Sequence, residues 1–311
     1  MTTNHVTRHD IEVAAPADQV YAALAHAAGW PCLFPPTVHV EVLNKTKTTE
    51  RLRIWATAND SVKNWTSRRE FHVADRRIDF RQERSAAPVA EMSGNWWVEP
   101  RAAGGCLVRL DHRFRAVDDD PAAVDWIATA VERNSVSELS ALAAYFELDD
   151  DESRFTIEDT LHIDAERESV YGFLAAGTEW SRRLPHVVAS DCRELGDGIQ
   201  ILRMDTRSGD GSTHRTESVR VCFPSERIVY KQTVLPALMS LHLGWWTLSD
   251  TPSGVLATAG HTVRIAAANV AEVLGPAATV ADARAFVTKA LRGNSGATLR
   301  AARQFAEGSR V

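Results

Sequence analysis

Hydrophobic and polar positions along the chain follow two periods, and the switches between them mark the elements. Residues 8–13 alternate as a short strand, and behind Pro16, Val20, Tyr21 and Leu24 recur at helical spacing. A second short helical piece over 30–34 is stopped by Pro35 and Pro36. Alternation then predicts six further strands over 38–43, 50–57, 62–73, 77–84, 92–98 and 106–116. Asp120 and Pro121 announce a long closing helix, whose apolar stripe is Val124, Ile127, Val131, Leu139, Leu142 and Phe146, with Ser135 on the same stripe.

The whole pattern then occurs again. At an offset of 150, Val20 meets Val170, Tyr21 meets Tyr171, Leu24 meets Leu174, Trp30 meets Trp180, Pro35 meets Pro185 and Gln82 meets Gln232. The offset slips by one where His112 meets His261, and it widens to 160 where Asn134 and Ser135 meet Asn294 and Ser295. The added residues lie in the alanine-rich stretch 266–279. Asp149, Asp150, Asp151, Glu152 and Ser153 read as an exposed acidic linker, so two domains are expected, 1–150 and 151–311. Each is an α+β unit: a curved, seven-stranded antiparallel sheet with two short helices and a long C-terminal helix. A helix packed loosely against a concave sheet leaves an apolar cavity, the usual form of a small-molecule site.

Composition narrows the partners. With 44% hydrophobic and 24% charged residues and a formal net charge of −6, the chain lacks the basic bias of a nucleic-acid binder. Cys32, Cys106, Cys192 and Cys222 stand apart, which suggests neither a metal knuckle nor a redox pair and fits a reduced, cytoplasmic protein. The polar first ten residues and the lack of any run of about 18 apolar residues disfavour secretion and membrane insertion.

Alternation places several polar residues on inward faces. Trp65, Ser67, Arg69, Phe71 and Val73 share one face, and a guanidinium among such neighbours needs either a buried counter-ion or a ligand. His112 lies with Val108, Leu110 and Phe114, and His261 lies with Ala257, Ala259, Val263 and Ile265. Phe80 and Gln82 share a face with Ile78, and Gln232 is the counterpart of Gln82. In the pairs Trp96–Trp97 and Trp245–Trp246 one ring faces in and the other out. At the constant offset the second copy departs from the first: Arg215 and Glu217 stand for Trp65 and Ser67, and Val219 replaces Arg69. Arg215 and Glu217 are then either a neutralising pair or a base beside a cation, with His242 within reach.

Trp30-Pro31-x-Leu33-Phe34, Trp65-x-Ser67-x-Arg69, the inward His112 and the closing helix with Asn134-Ser135 resemble the polyketide aromatase/cyclases. Those belong to the helix-grip superfamily that includes START and Bet v 1-like proteins. The tandem arrangement is similar to the di-domain aromatase/cyclases of bacterial type II polyketide synthases. The resemblance implies closure and aromatisation of the first ring, C7 to C12, of a poly-β-ketone tethered through phosphopantetheine to an acyl carrier protein. It also implies other synthase components as partners and no metal or other cofactor.

Such chemistry assigns roles to the inward residues. Arg69 stabilises a developing enolate or alkoxide, Ser67 and Gln82 position carbonyls, and His112, with an unperturbed pKa near neutrality, shuttles protons. Trp30, Phe34, Trp65, Phe80, Trp96 and Ser135 complete the first pocket. Arg215 and Glu217 are the catalytic candidates of the second copy, with Gln232, His242, Trp246, His261 and Asn294 lining it. The competing expectation is a non-catalytic carrier that binds an apolar or polyketide ligand, for which a more uniformly apolar lining suits better.

Overall fold

The alternating segments of the first repeat pair into one antiparallel sheet. The computed structural model describes residues 4–102, 104–147, 152–207, 211 and 213–308. The chain divides into two units, Met1–Asp149 and Asp150–Val311. Of the acidic run read as a linker, Asp149, Asp150 and Asp151 lie outside the described residues. Ser153 is buried rather than exposed, because its carbonyl accepts the Ile265 N–H at 2.9 Å.

In the first unit β1 (His5–Val13) leads into α1 (Ala17–Ala25) and the single turn α2 (Trp30–Leu33). There follow β2 (Thr37–Lys45), β3 (Thr49–Ala58), β4 (Ser61–His72), β5 (Arg77–Arg84), β6 (Val89–Pro100), β7 (Cys106–Ala116) and α3 (Pro121–Glu147). The sheet order is β1-β7-β6-β5-β4-β3-β2. Asp120 caps α3, its carboxylate accepting the N–H groups of Ala122 and Ala123 at 3.3 Å each. Ile127, Val131, Ser135, Leu139 and Leu142 of α3 are all buried. Val73 does not continue the inward face of β4. It starts a tight turn that Arg76 closes at a left-handed φ of 48°, and it is 64% exposed.

The second unit repeats this as β8 (Arg154–Ile163), α4 (Arg167–Ala175), α5 (Trp180–Arg183), β9 (Val187–Gly196) and β10 (Ile199–Arg207). It continues with β11 (Thr213–Phe223), β12 (Arg227–Val234), β13 (Met239–Thr251), β14 (Gly254–Ile265), the short α6 (Val270–Leu274) and α7 (Val280–Gly308). The order β8-β14-β13-β12-β11-β10-β9 matches that of the first sheet. The alanine-rich insertion forms α6 and its flanking turns.

One strand breaks the constant offset. Ser67 pairs with Leu52 on one side and Gln82 on the other, and the residue that pairs with Leu202 and Gln232 is Ser218. Arg69 lies opposite Phe80, and Arg220 lies opposite Tyr230. Ser218 and Arg220 therefore hold the places of Ser67 and Arg69, with Thr216 at that of Trp65. An extra residue before β11 and a missing one after it cancel, so the offset of 150 misreads this strand while β10 and β12 on either side keep it. A one-residue slip exchanges the two faces of a strand.

Glycine at one register position lets an aromatic ring cross the sheet backbone. A Cβ on Gly94 would lie 2.0 Å from the Asp111 carbonyl oxygen and 2.5 Å from Phe80 Cζ. At Gly244 it would lie 2.0 Å from Tyr230 Cζ. Gly94→Ala is expected to destabilise the first unit by about 1–3 kcal/mol through overpacking. Urea unfolding should show the lowered midpoint with the slope unchanged.

Candidate functional site

The concave face of the first sheet and α3 enclose a cavity of about 170 Å³. Trp30 and Phe34 come from the turn after α1, Trp65, Ser67 and Arg69 from β4, Phe80 and Gln82 from β5, Trp96 from β6, His112 from β7 and Ser135 from α3, and all of them line it. Phe34 and Trp96 stack with parallel rings 5.8 Å apart, and the His112 ring stands edge-on to Phe80 at 5.5 Å. These aromatic walls make the site largely apolar, so its few polar atoms stand out.

Arg69 is 1% exposed and is not free to face a ligand with all its donors. Nε and Nη2 bind the Glu50 carboxylate, the former at 3.1 Å. Nη1 donates to the Leu24 carbonyl and Nη2 to that of Ala25, each at 2.8 Å, and the guanidinium lies 4.8 Å from the Trp30 ring centre. Four of its five N–H groups are thus committed, and one Nη1 hydrogen remains. Between the readings left open by alternation, the counter-ion is present, and the same guanidinium still borders the cavity.

The other polar atoms are less encumbered. Ser67 Oγ donates to the Arg81 carbonyl at 3.0 Å, while Gln82 Oε1, His112 Nδ1 and Ser135 Oγ are buried without partners among the described residues. Burial pushes the His112 pKa down to about 4, with His9 adding to the effect and Asp111 opposing it. Its expected near-neutral titration is therefore corrected: the ring is a neutral imidazole at pH 7.

Two carboxylates escaped the sequence reading. Glu138, on α3, lines the cavity, and no described residue pairs with its carboxyl. Burial raises its pKa to about 8, so at neutral pH it is a carboxylic acid with a proton to give. Helical spacing signals it, since it follows Ser135 by three positions and Asn134 by four on the inward side of α3. Glu50 sits directly across from Arg69, and alternation with Leu52 and Ile54 carries that signal. Lys63, 5.4 Å from the Trp126 ring centre, and Asn134, which donates to the Thr57 carbonyl at 3.0 Å, also line the cavity.

In the second unit the inward roles expected of Arg215 and Glu217 are corrected. Arg215 is largely exposed and forms a bidentate pair with Asp205 at 2.8 and 2.9 Å. Glu217 binds Arg203 at 2.5 Å and the Thr233 hydroxyl at 3.1 Å. The slip in β11 turned both outward and brought Thr216, Ser218 and Arg220 inside. Arg220 donates to the Leu174 carbonyl at 2.6 Å over the Trp180 ring, but Gln200 replaces the carboxylate of Glu50, and Arg220 Nη1 has no partner among the described residues. Gln232, His242, His261 and Trp246 occupy inward positions of β12 to β14, and the half-buried Asn294 lies on α7.

The family described as "Polyketide cyclase / dehydrase and lipid transport" matches residues 4–147. The granaticin polyketide synthase bifunctional cyclase/dehydratase of Streptomyces violaceoruber is 45% identical over 308 residues, 98% of this chain and 95% of that protein. The actinorhodin counterpart of Streptomyces coelicolor is 43% identical, covering 95% of each chain. Among solved structures, the di-domain ARO/CYC BexL superposes with a TM-score of 0.87 at 54% identity, over 97% of this chain and 99% of that one. The di-domain ARO/CYC StfQ from the steffimycin biosynthetic pathway gives 0.81 at 32%, with the same coverage.

Removing one member of a buried ion pair strands the other, which costs about 3–5 kcal/mol. Lys45 Nζ, 3.2 Å from the other Glu50 oxygen, remains beside the carboxylate, so Arg69→Ala is expected to lower the stability of the first unit by up to that amount. Glu50→Gln, which installs the amide that the second unit has beside its own arginine, is expected to cost less than half as much. Denaturant unfolding of the two variants compares them directly.

Proposed function

The chain belongs to the polyketide cyclase/dehydrase family, and from that premise we propose that it closes and aromatises the first ring, C7 to C12, of a poly-β-ketone. The substrate arrives on the phosphopantetheine arm of an acyl carrier protein, beside the other components of a cytoplasmic type II polyketide synthase. The observation that carries this reading is one apolar cavity in which a neutral histidine, a protonated carboxylic acid and a buried guanidinium share the wall.

Aldol closure moves one proton from a methylene carbon to the oxygen of the attacked carbonyl. Shape does much of the work, since folding the chain against the Trp30, Phe34, Trp65 and Trp96 walls brings one methylene to one carbonyl. Neutral His112 takes the methylene proton. The remaining Nη1 hydrogen of Arg69 and the dipoles of Ser67 and Gln82 hold the enolate and orient the carbonyls. Glu138 protonates the alkoxide as the carbon–carbon bond forms. With His112 titrating near 4 and Glu138 near 8, return of the proton from imidazolium to carboxylate runs downhill and resets the site. A carrier for alkyl chains has no need of Gln82 Oε1, His112 Nδ1 and Ser135 Oγ on one wall, since a buried polar atom is costly without a partner.

Incubation with a minimal synthase, its carrier protein and malonyl precursor is expected to change which ring forms, and an unchanged product ratio counts against the proposal. Glu138→Gln is expected to slow closure by about 10²–10⁴-fold, the usual range for a positioned acid.

The same group sets a pH dependence. The pKa of Glu138 is raised on folding from 4.5 to about 8, so its contribution to stability is complete below 4.5 and lost as pH rises through about 8. Closure loses its proton donor over the same upper range. Wild-type protein should lose Tm progressively between about pH 5 and 8 and level off above that, and lose cyclising activity between about pH 7 and 9, and Glu138→Gln should remove the slope in Tm.

A further inference from the structure

Three linked side chains on the inner face of the second sheet play no part in the site just described. The Tyr230 hydroxyl lies 3.3 Å from His261 Nδ1, and His242 Nε2 lies 3.0 Å from the same nitrogen. Strand register sets these residues where the first unit has Phe80, His112 and Met92, all of which line its cavity. His242 and His261 are buried, and their outer nitrogens, His242 Nδ1 and His261 Nε2, have no partner among the described residues. Gln232 Oε1, at the register position of Gln82, is also buried and unpartnered. A buried polar atom left unsatisfied costs about 1–3 kcal/mol, so several on one wall point to a bound molecule that satisfies them.

The two units differ in their acid. By the offset that matches Asn134 to Asn294, the place of Glu138 is taken by Thr298, whose hydroxyl donates to the Asn294 carbonyl at 3.0 Å. The second unit thus lacks the carboxylic acid and carries a second histidine instead. Burial lowers the pKa of both rings, that of His261 to about 4, and keeps them neutral at pH 7.

Neutrality and the bond between the rings fix their protonation jointly. Each neutral imidazole carries one hydrogen, and one hydrogen lies in the His242–His261 bond. If His242 donates it, His242 Nδ1 is bare and His261 Nε2 carries a hydrogen; if His261 donates it, the assignment reverses. In either case the pair presents one acceptor and one donor.

We propose that the second unit holds its own dehydration site, in which His242 and His261 act as a coupled acid–base pair on a β-hydroxyketone, the class of compound that aldol closure leaves. This rests on the reading of the first unit as the cyclising site. The bare outer nitrogen takes a proton from the carbon between carbonyl and carbinol, and that electron pair becomes the new carbon–carbon double bond. The carbon–oxygen bond breaks, and the oxygen leaves as water with the hydrogen of the other outer nitrogen. The shared hydrogen shifts across the His–His bond in the same step, so both rings end neutral with their tautomers exchanged. Tyr230, its hydroxyl 3.3 Å from His261 Nδ1 and its ring edge-on to His242, packs against the pair.

The test substitutes His242 by Met, the residue the first unit carries at this position. In the synthase assay H242M is expected to accumulate a ring-closed product 18 mass units heavier than the aromatic one, with aromatised product falling about 100-fold. Aromatised product at the wild-type rate from folded H242M overturns the second site. Failure of the first-unit reading shows differently, as no ring-closed product from the wild-type protein. Should H242M not fold, ¹⁵N spectra of the wild-type histidines decide: one protonated and one bare outer nitrogen supports the pair, and two in the same state overturns it.

Discussion

The guanidinium of Arg69 ties the first unit together. It joins the backbone carbonyls that end α1 to a carboxylate on β3, and so fixes where the inserted helices sit on the sheet. Exposed carbonyls at a helix C-terminus need donors, and here a side chain from the middle of the sheet supplies them. Trp30, stacked on the same guanidinium, donates its indole N–H to Leu24 at 3.2 Å. The cavity wall at this end is therefore a consequence of how the helix end is satisfied. That structural duty leaves one Nη1 hydrogen of Arg69 over.

Most of the fold was legible in the chain. Strand alternation, the proline boundaries and the offset between the copies located the elements because each reports a local backbone period that tertiary packing did not override. Arg215 and Glu217 show where this stops. Two opposite one-residue changes on either side of β11 leave β10 and β12 at the common offset, and the pairing of Ser218 with Leu202 and Gln232 exposes the slip. Glu138 was hidden for another reason. A lone glutamate on a long helix looks like solvated surface, and its raised pKa arises from walls contributed by other elements.

The duplicated units use one scaffold for different electrostatics. The first balances its buried arginine with Glu50 and keeps a carboxylic acid on α3. In the second, Gln200 stands beside the arginine, and the titratable groups move to paired imidazoles on β13 and β14. Burial shifts carboxyl and imidazole pKa values in opposite directions, so beyond the Arg69–Glu50 pair and Arg220 these inward groups remain neutral. Such interiors suit a reactive polyketone, whose side reactions begin with stray protons and water.

The compensating length changes around β11 bear on how such a repeat can be recombined. A strand communicates with its neighbours only through parity, odd or even, and the two flanking turns together conserve it. A chimera that exchanges β4 and β11 with both turns keeps each arginine indoors. One joined inside the strand at the offset of 150 inherits a single turn, reverses the parity downstream, and delivers a guanidinium to solvent and a glutamate to the interior.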